Sequence, residues 1–140
     1  MSRSLRHRLR VRYSDCDPQG VVFNANYLTY FDIAITELWR EAVGPYEETT
    51  RDRQIDLVVA EATVRCNAPV GFDEEVELVA ALSHLGTTSM ITKIAIETEA
   101  GLAAEGELRH VFVQRGSARK APIPADIRAA LTPFLAETEP

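Results

Sequence analysis

Two carboxylates stand close together in a turn-forming segment near the N-terminus. The segment Ser14-Asp-Cys-Asp-Pro-Gln-Gly20 contains Asp15 and Asp17, and its proline and glycine favour a tight turn. It ends shortly before a predicted helix, whose start offers unpaired backbone N–H groups that can polarise a carbonyl oxygen. A carboxylate beside such donors could attack that carbonyl or activate a water. An aspartate in an Asp-Pro-x-Gly pattern is also typical of a turn that only bonds its own backbone, so both roles stay open.

The residues that follow predict a long amphipathic helix. Apolar side chains recur at three- and four-residue spacing over residues 27–43, and Gly44 followed by Pro45 is a stop signal. Asn24 or Asn26 could cap its start. At about five turns, it is the longest helix that the sequence predicts.

Five stretches predict β-strands. Residues 5–13 alternate arginines with other side chains, which predicts a half-buried strand carrying Arg6, Arg8, Arg10 and Arg12 on one face. We interpret this stripe as a solvated edge that discourages aggregation rather than as a phosphate-binding stripe. The other β-rich stretches cover residues 55–66, 75–85, 88–98 and 102–114. The last two connections are too short for crossover helices, so these neighbours are predicted to pair antiparallel.

The order of these elements predicts an α+β fold. Because the long helix has only the sheet against which to bury its apolar stripe, a curved five-stranded antiparallel sheet is expected to wrap around one long central helix. A short helix is predicted from Pro124 to near Pro133. No repeat or composition change divides residues 1–140, so a single domain is expected. A face or edge of such a sheet often pairs with a second copy, which favours a homodimer or a larger assembly.

Composition excludes several classes of protein. The formal net charge of −6 argues against general nucleic-acid binding. No run of about 18 apolar residues predicts a membrane span, and the basic N-terminus is not followed by the apolar stretch of a secretory signal, so a cytoplasmic protein is expected. Cys16 and Cys66 are too few for a disulfide scaffold and lack metal-ligand spacing, which favours two reduced thiols.

One long motif carries a resemblance to a known family. The segment Tyr13-Ser-Asp-Cys-Asp-Pro-Gln-Gly-Val-Val-Phe-x-x-Asn-Tyr-Leu-x-Tyr-Phe resembles the signature of the 4-hydroxybenzoyl-CoA thioesterase family of hotdog-fold proteins, and the order of elements follows the same pattern. The resemblance implies an acyl-CoA thioesterase that releases a free acid and coenzyme A without cofactor or metal, assembled as a homotetramer of paired dimers. A non-catalytic acyl-CoA-binding hotdog protein is the alternative. Dehydratases of this fold rely on a histidine-centred motif that this sequence lacks.

The resemblance also assigns roles within the motif. It implies that Asp17 is the nucleophile or general base toward the thioester carbonyl, while Asp15 serves the turn. The amide at or near Asn24 matches the position that polarises the thioester C=O. Many bacterial members carry a histidine where this chain has Asn24, so the sequence is closer to the subgroup that works with aspartate alone. Asn24 could contact the substrate or a water, or could cap the helix.

Candidate binding residues lie further along the chain. Aromatic-CoA members can carry a basic cluster where this chain has Leu85-Gly-Thr-Thr-Ser89, so the coenzyme A phosphates are assigned to Arg119 and Lys120, with a solvated basic loop as the alternative. Glu61 interrupts an apolar stretch and is expected either to face the site or to point to solvent at a strand edge. The candidate substrate contacts are Asn24, Asn26, Tyr27, Glu61 and Ser89.

Overall fold

A computed structural model describes residues 2–136, which form one antiparallel sheet and three α-helices. The strands are β1 (Leu5–Arg10), β2 (Ile55–Cys66), β3 (Glu75–Leu85), β4 (Ser89–Thr98) and β5 (Gly101–Gln114). The helices are α1 (Asn26–Ala42), α2 (Tyr46–Asp52) and α3 (Ala125–Leu131). The strand order in the sheet is β1-β3-β4-β5-β2, and every neighbouring pair is antiparallel. The predicted five-stranded antiparallel sheet with helices is therefore confirmed.

The strand bounds follow the sequence pattern closely, except in β1. β2 and β3 have the predicted bounds, while β1 ends at Arg10 rather than at residue 13. Beyond it, Tyr13–Asp15 form a 3₁₀ turn, in which the N–H of Asp15 donates to the carbonyl of Arg12 at 3.0 Å. Arg12 lies beyond the end of β1, and its side chain contacts Asp15 rather than a glutamate of the β1 edge.

Helix α2 lies in a polar segment for which the sequence pattern predicts no helix. Pro45 stands at its N-cap, and Glu47 and Glu48 in its first turn suit the positive end of a helix dipole. Only Thr50 is buried among its seven residues, so the segment has no apolar periodicity that could reveal it. The helix docks on α1 through a hydrogen bond from Trp39 Nε1 to Thr49 Oγ1 at 2.7 Å.

Helix α1 packs on one face of the sheet and supplies much of the core. It begins at Asn26, with Ala25 at the N-cap and no side-chain cap, so neither asparagine caps it. Gly106 on β5 allows a close approach, because a Cβ there would lie 1.9 Å from the carbonyl oxygen of Thr63 and 2.7 Å from the ring of Phe31. The buried residues of α1 are Tyr27, Tyr30, Phe31, Ala34, Ile35, Leu38 and Trp39.

The two edges of the sheet differ in character. At the β1 edge, Arg6 pairs with Glu77 at 2.5 Å, and Arg8 and Arg10 pair with Glu75 at 3.3 Å. These contacts are exposed, which agrees with the interpretation of the stripe as a solvated edge rather than as a free anion site.

The β2 edge is open over most of its length. The N–H of Leu57 donates to the hydroxyl of Tyr46 at 3.2 Å, so α2 covers only the beginning of the strand. Val59 lies opposite His110, which is buried on the side of α1, and cross-strand partners share a face. Val59 is nevertheless 52% exposed, so α1 leaves this strip of β2 uncovered.

Candidate active site

Asp17 lies in a tight turn in which its own side chain takes part. Its carbonyl accepts a hydrogen bond from the N–H of Gly20 at 2.9 Å, and its Oδ1 accepts one from the N–H of Gln19 at 2.8 Å. Gly20 has φ +79°, a backbone conformation that favours glycine. The other carboxylate oxygen, Oδ2, has no hydrogen-bond partner among residues 2–136. The turn therefore uses one carboxylate oxygen of Asp17, and the other oxygen can contact a ligand.

The Asp17 turn is fixed against the connection between β2 and β3. The N–H of Asp17 donates to the carbonyl of Val21 at 2.9 Å, and Val21 forms an antiparallel bridge with Gly71. The N–H of Phe72 then donates to the carbonyl of Gly20 at 3.1 Å. The turn is thus a small hairpin anchored on the loop that follows the C-terminal end of β2.

Asp15 is the buried acceptor of this region, with 4% of its surface exposed. Its carboxylate accepts hydrogen bonds from the backbone N–H of Arg12 at 2.9 Å, from Arg12 Nη2 at 2.9 Å and from the hydroxyl of Tyr30 at 2.8 Å. Burial alone would raise the pKa of Asp15, but the hydrogen bonds from Arg12 and Tyr30 outweigh it and lower that pKa. Asp15 is ionised and fully engaged, so Asp17 is the carboxylate of the pair that can meet a ligand.

Unpaired N–H groups lie at the start of α1. The N–H of Asn26 donates to the carbonyl of Phe23 at 2.8 Å, and that of Phe23 donates to the carbonyl of Asp15 at 2.9 Å. Between them, the N–H groups of Asn24 and Ala25 have no acceptor within residues 2–136, and both residues are exposed. They form a donor pair at the positive end of the helix, where a carbonyl oxygen or an oxyanion is favoured.

The remaining predicted contacts in the motif have different surroundings. Asn24 is exposed at the helix start. The Asn26 side chain donates from Nδ2 to the carbonyl of Asp15 at 2.7 Å, so it braces the loop. Tyr27 is only 3% exposed and makes an edge contact with Tyr30, with ring centroids 6.2 Å apart. Burial raises the pKa of Tyr27, with the neighbouring Cys66 and Glu74 adding to the effect.

The structure places the other predicted residues away from the Asp17 turn. Glu61 lies opposite Arg109, and Ser89 opposite Val111, so both face away from α1. Arg119 and Lys120 are exposed, beside the C-terminal end of β5 that pairs with the beginning of β2. The Asp17 turn lies beyond the opposite end of β2, a strand of 12 residues. At about 3.3 Å per residue the two ends are about 30 Å or more apart, so one chain does not bring them together.

Two exposed aromatic side chains border the Asp17 turn and were not singled out from the sequence. Tyr13 is 83% exposed and Phe72 is 53% exposed, and their rings meet edge to face with centroids 5.9 Å apart. The available signal was an aromatic residue directly after Gly71, in a connection otherwise rich in polar and turn-forming residues. Exposed aromatic pairs beside a site are candidates for ligand or partner contact.

Within residues 2–136, no three histidine, cysteine, aspartate or glutamate side chains are grouped so that they could hold a metal ion. None of the helices in this range is long and apolar enough to cross a membrane.

Known proteins resemble this chain over half of its length to nearly all of it. A sequence profile of the thioesterase-like superfamily matches residues 11–131. The chain is 29% identical over 122 residues to the acyl-CoA thioester hydrolase YbgC of Escherichia coli O6:H1, covering 86% of this chain and 90% of the relative. It is 33% identical over 69 residues to the 4-hydroxybenzoyl-CoA thioesterase of Pseudomonas sp. strain CBS-3, covering 49% of this chain and 47% of that protein.

A solved structure agrees with these relatives. The gentisyl-coenzyme A thioesterase BH1999 superposes with a TM-score of 0.82 at 27% identity, covering 91% of this chain and 99% of that one. The profile match extends over the Asp17 turn, the helix start and the whole sheet from β2 onward. The chain belongs to the thioesterase-like superfamily, as a thioester hydrolase of the 4-hydroxybenzoyl-CoA thioesterase type.

Proposed function

We propose that this protein hydrolyses an acyl-CoA or aroyl-CoA thioester to the free acid and coenzyme A, with Asp17 as nucleophile or general base. The observation that carries the proposal is the free Oδ2 of Asp17 in the same braced loop as the unpaired N–H groups of Asn24 and Ala25. A reactive carboxylate and an electrophilic donor pair are the two parts that thioester cleavage needs.

The chemistry follows from these two parts. The N–H groups of Asn24 and Ala25 would receive the thioester oxygen and stabilise the negative charge that develops on it. As a nucleophile, Asp17 Oδ2 would bond to the carbonyl carbon while the C–S bond breaks and coenzyme A leaves as the thiolate, and water would then hydrolyse the resulting anhydride. As a general base, Asp17 would instead take a proton from the water that attacks the carbonyl.

No imidazole is available to assist Asp17 at the helix start, because Asn24 occupies that position. His110 does not replace it, since it lies in the middle of β5 and burial lowers its pKa to about 4. The proposed reaction therefore depends on a single carboxylate and on backbone donors.

The open β2 edge supports assembly as a homodimer, and two such dimers would form the homotetramer. Two β2 strands pairing antiparallel about a twofold axis would bring the Arg119–Lys120 end of one chain toward the Asp17 end of its partner. This arrangement would let those two basic side chains reach the phosphates of a coenzyme A bound at Asp17, which they cannot do within one chain. It also fits one hotdog domain over residues 1–140 with α1 as its central helix.

A non-catalytic acyl-CoA-binding role is the second candidate. It is favoured by the hydrogen bond from Gln19 N–H to Asp17 Oδ1, which gives the aspartate a structural reason to be present. Binding without turnover would be the signature of this role.

The test is release of free coenzyme A from a panel of aliphatic and aromatic acyl-CoAs, measured with a thiol reagent. Asp17→Asn keeps an acceptor for Gln19 but removes the charge, so we expect turnover to fall at least about a hundredfold. Asp52→Asn, an exposed aspartate on α2, is the matched control and should keep wild-type turnover. Tight binding of these esters without cleavage would establish the binding role. Full turnover by Asp17→Asn would show that Asp17 takes no part in the reaction.

A further inference from the structure

We infer that Asp15 is the positioning residue of this site, holding the carboxylate of Asp17 in register with the donor N–H groups at the start of α1. The inference rests on the proposed thioesterase function and deepens it. Asp15 does not touch the substrate in this scheme, since its carboxylate is buried and fully hydrogen-bonded.

The main chain of Asp15 fastens both halves of the site. Its carbonyl accepts hydrogen bonds from the N–H of Phe23 at 2.9 Å and from Asn26 Nδ2 at 2.7 Å, which fixes the segment carrying the donor pair. Its N–H donates to the carbonyl of Arg12 at 3.0 Å, and Asp17 follows two residues later in the chain. A shift of Asp15 would therefore move Asp17 and the donors relative to each other.

The side chain of Asp15 ties this loop to the body of the protein. Oδ2 accepts from the backbone N–H of Arg12 and from the hydroxyl of Tyr30, which reaches the loop from the buried face of α1. Asp15→Asn would keep one oxygen for these two donors, but it would turn an NH₂ group toward Arg12 Nη2, which donates to Oδ1 at 2.9 Å in the native structure. The anchor therefore requires a carboxylate, and not only a side chain that suits a turn.

The charge of Asp15 is balanced within the same cluster. Arg12 Nη2 lies 2.9 Å from Asp15 Oδ1, so this first carboxylate of the Asp-Cys-Asp motif adds little net negative field where the substrate must develop negative charge. Tyr30 contributes a neutral donor whose own pKa is raised, first by burial and then by the bond to Asp15. The cluster can thus hold the loop without opposing the chemistry at Asp17.

The experiment measures kcat and KM for Asp15→Asn and Tyr30→Phe on the best acyl-CoA substrate. Where a hydrogen bond to a charged group positions Asp17, its loss corresponds to about a ten- to hundredfold fall in kcat. We expect KM to change less than about threefold. Tyr46→Phe is the matched control, because it removes a tyrosine hydroxyl that bonds a backbone N–H far from the loop, and it should keep wild-type kcat.

The same substitutions in the Asp17→Asn background separate positioning from loss of fold. A residue that acts through Asp17 should lower the residual rate of Asp17→Asn less than twofold, whereas a smaller folded fraction would lower both backgrounds equally. Amide hydrogen exchange of residues 12–26 gives a readout without activity, and we expect faster exchange in Tyr30→Phe than in Tyr46→Phe. Wild-type kcat in well-folded Asp15→Asn, or an equal loss in both backgrounds, would overturn the inference. An inactive wild-type protein would instead overturn the thioesterase proposal.

Discussion

Replacing His110 with leucine should make the protein less sensitive to acid. His110 lies on β5 with 5% of its surface exposed, and its Nδ1 has no hydrogen-bond partner within residues 2–136. Burial lowers the pKa of His110 from 6.5 to about 4. Because the folded pKa lies below the unfolded one, the unfolded chain binds the proton more readily, and stability present above pH 6.5 is lost as the pH falls toward 4.

The size of the effect follows from the two pKa values. Proton linkage with 6.5 and about 4 removes about 2 kcal/mol of unfolding free energy at pH 5 and about 3 kcal/mol at pH 4, relative to pH 7. Leucine has a similar volume and no ionisable group, so His110→Leu should lack this loss. Urea unfolding at pH 7, 5 and 4 gives both free energies, and the wild-type protein should lose about 3 kcal/mol more than the variant by pH 4.

Two features keep this test specific. His84→Leu replaces an exposed histidine and should follow the wild-type curve. The lowered pKa of Asp15 acts in another window, since its contribution is present above 3.8 and is lost only as the pH falls below that value. A difference between wild type and His110→Leu smaller than about 0.5 kcal/mol at pH 4 would refute the claim that His110 is held neutral by burial.

Two more predictions concern packing and assembly. Gly106→Ala should lower the free energy of unfolding by about 3 kcal/mol or more, because its Cβ would collide with the Thr63 carbonyl. Gly116→Ala has open space around its Cβ and should lower that free energy by only about 1 kcal/mol, because of its positive φ. Thermal and urea unfolding of the two variants measure the difference. Val59→Lys should convert the proposed dimer to monomers in sedimentation, because it places a charge on the open strip of β2. Ala100→Lys, in the exposed β4–β5 turn, should leave the mass unchanged. An unchanged mass for Val59→Lys would show that the interface lies elsewhere.

The sequence predicts helices and strands well where apolar side chains recur at regular spacing. It predicts them poorly where a single tertiary contact determines the local structure. The apolar repeat of α1 and the alternation of β3 match the structure because each buries one continuous face. Helix α2 buries little beyond Thr50, so no repeat marks it. Alternation through residue 13 also predicts a longer β1, but a 3₁₀ turn follows Arg12, and Asp15 in that turn is held by Tyr30 of α1, which is a tertiary contact.

The candidate site shows the same limit. Pro18 and Gly20 predict the turn at Asp17, and the structure contains that turn. Glu61 illustrates what strand alternation misses: a bulge between Val59 and Glu61 shifts the register, so Glu61 faces away from α1 although an unbroken strand would place it on the side of Val59. The bond from Tyr30 to Asp15 joins residues 15 apart on different elements, and no local pattern encodes it.

The unequal edges of the sheet bear on how far assembly can proceed. A sheet with two accessible edges can add copies at both ends and grow into a fibre, whereas this sheet presents arginines at β1, and the N–H of Ala136 donates to the carbonyl of Leu82 beyond it. Within residues 2–136, β2 is the edge that remains for another chain, and the twofold pairing proposed there would use the free edge of both partners. The fold therefore limits its own polymerisation, since the strand that can join two copies is used up when they join.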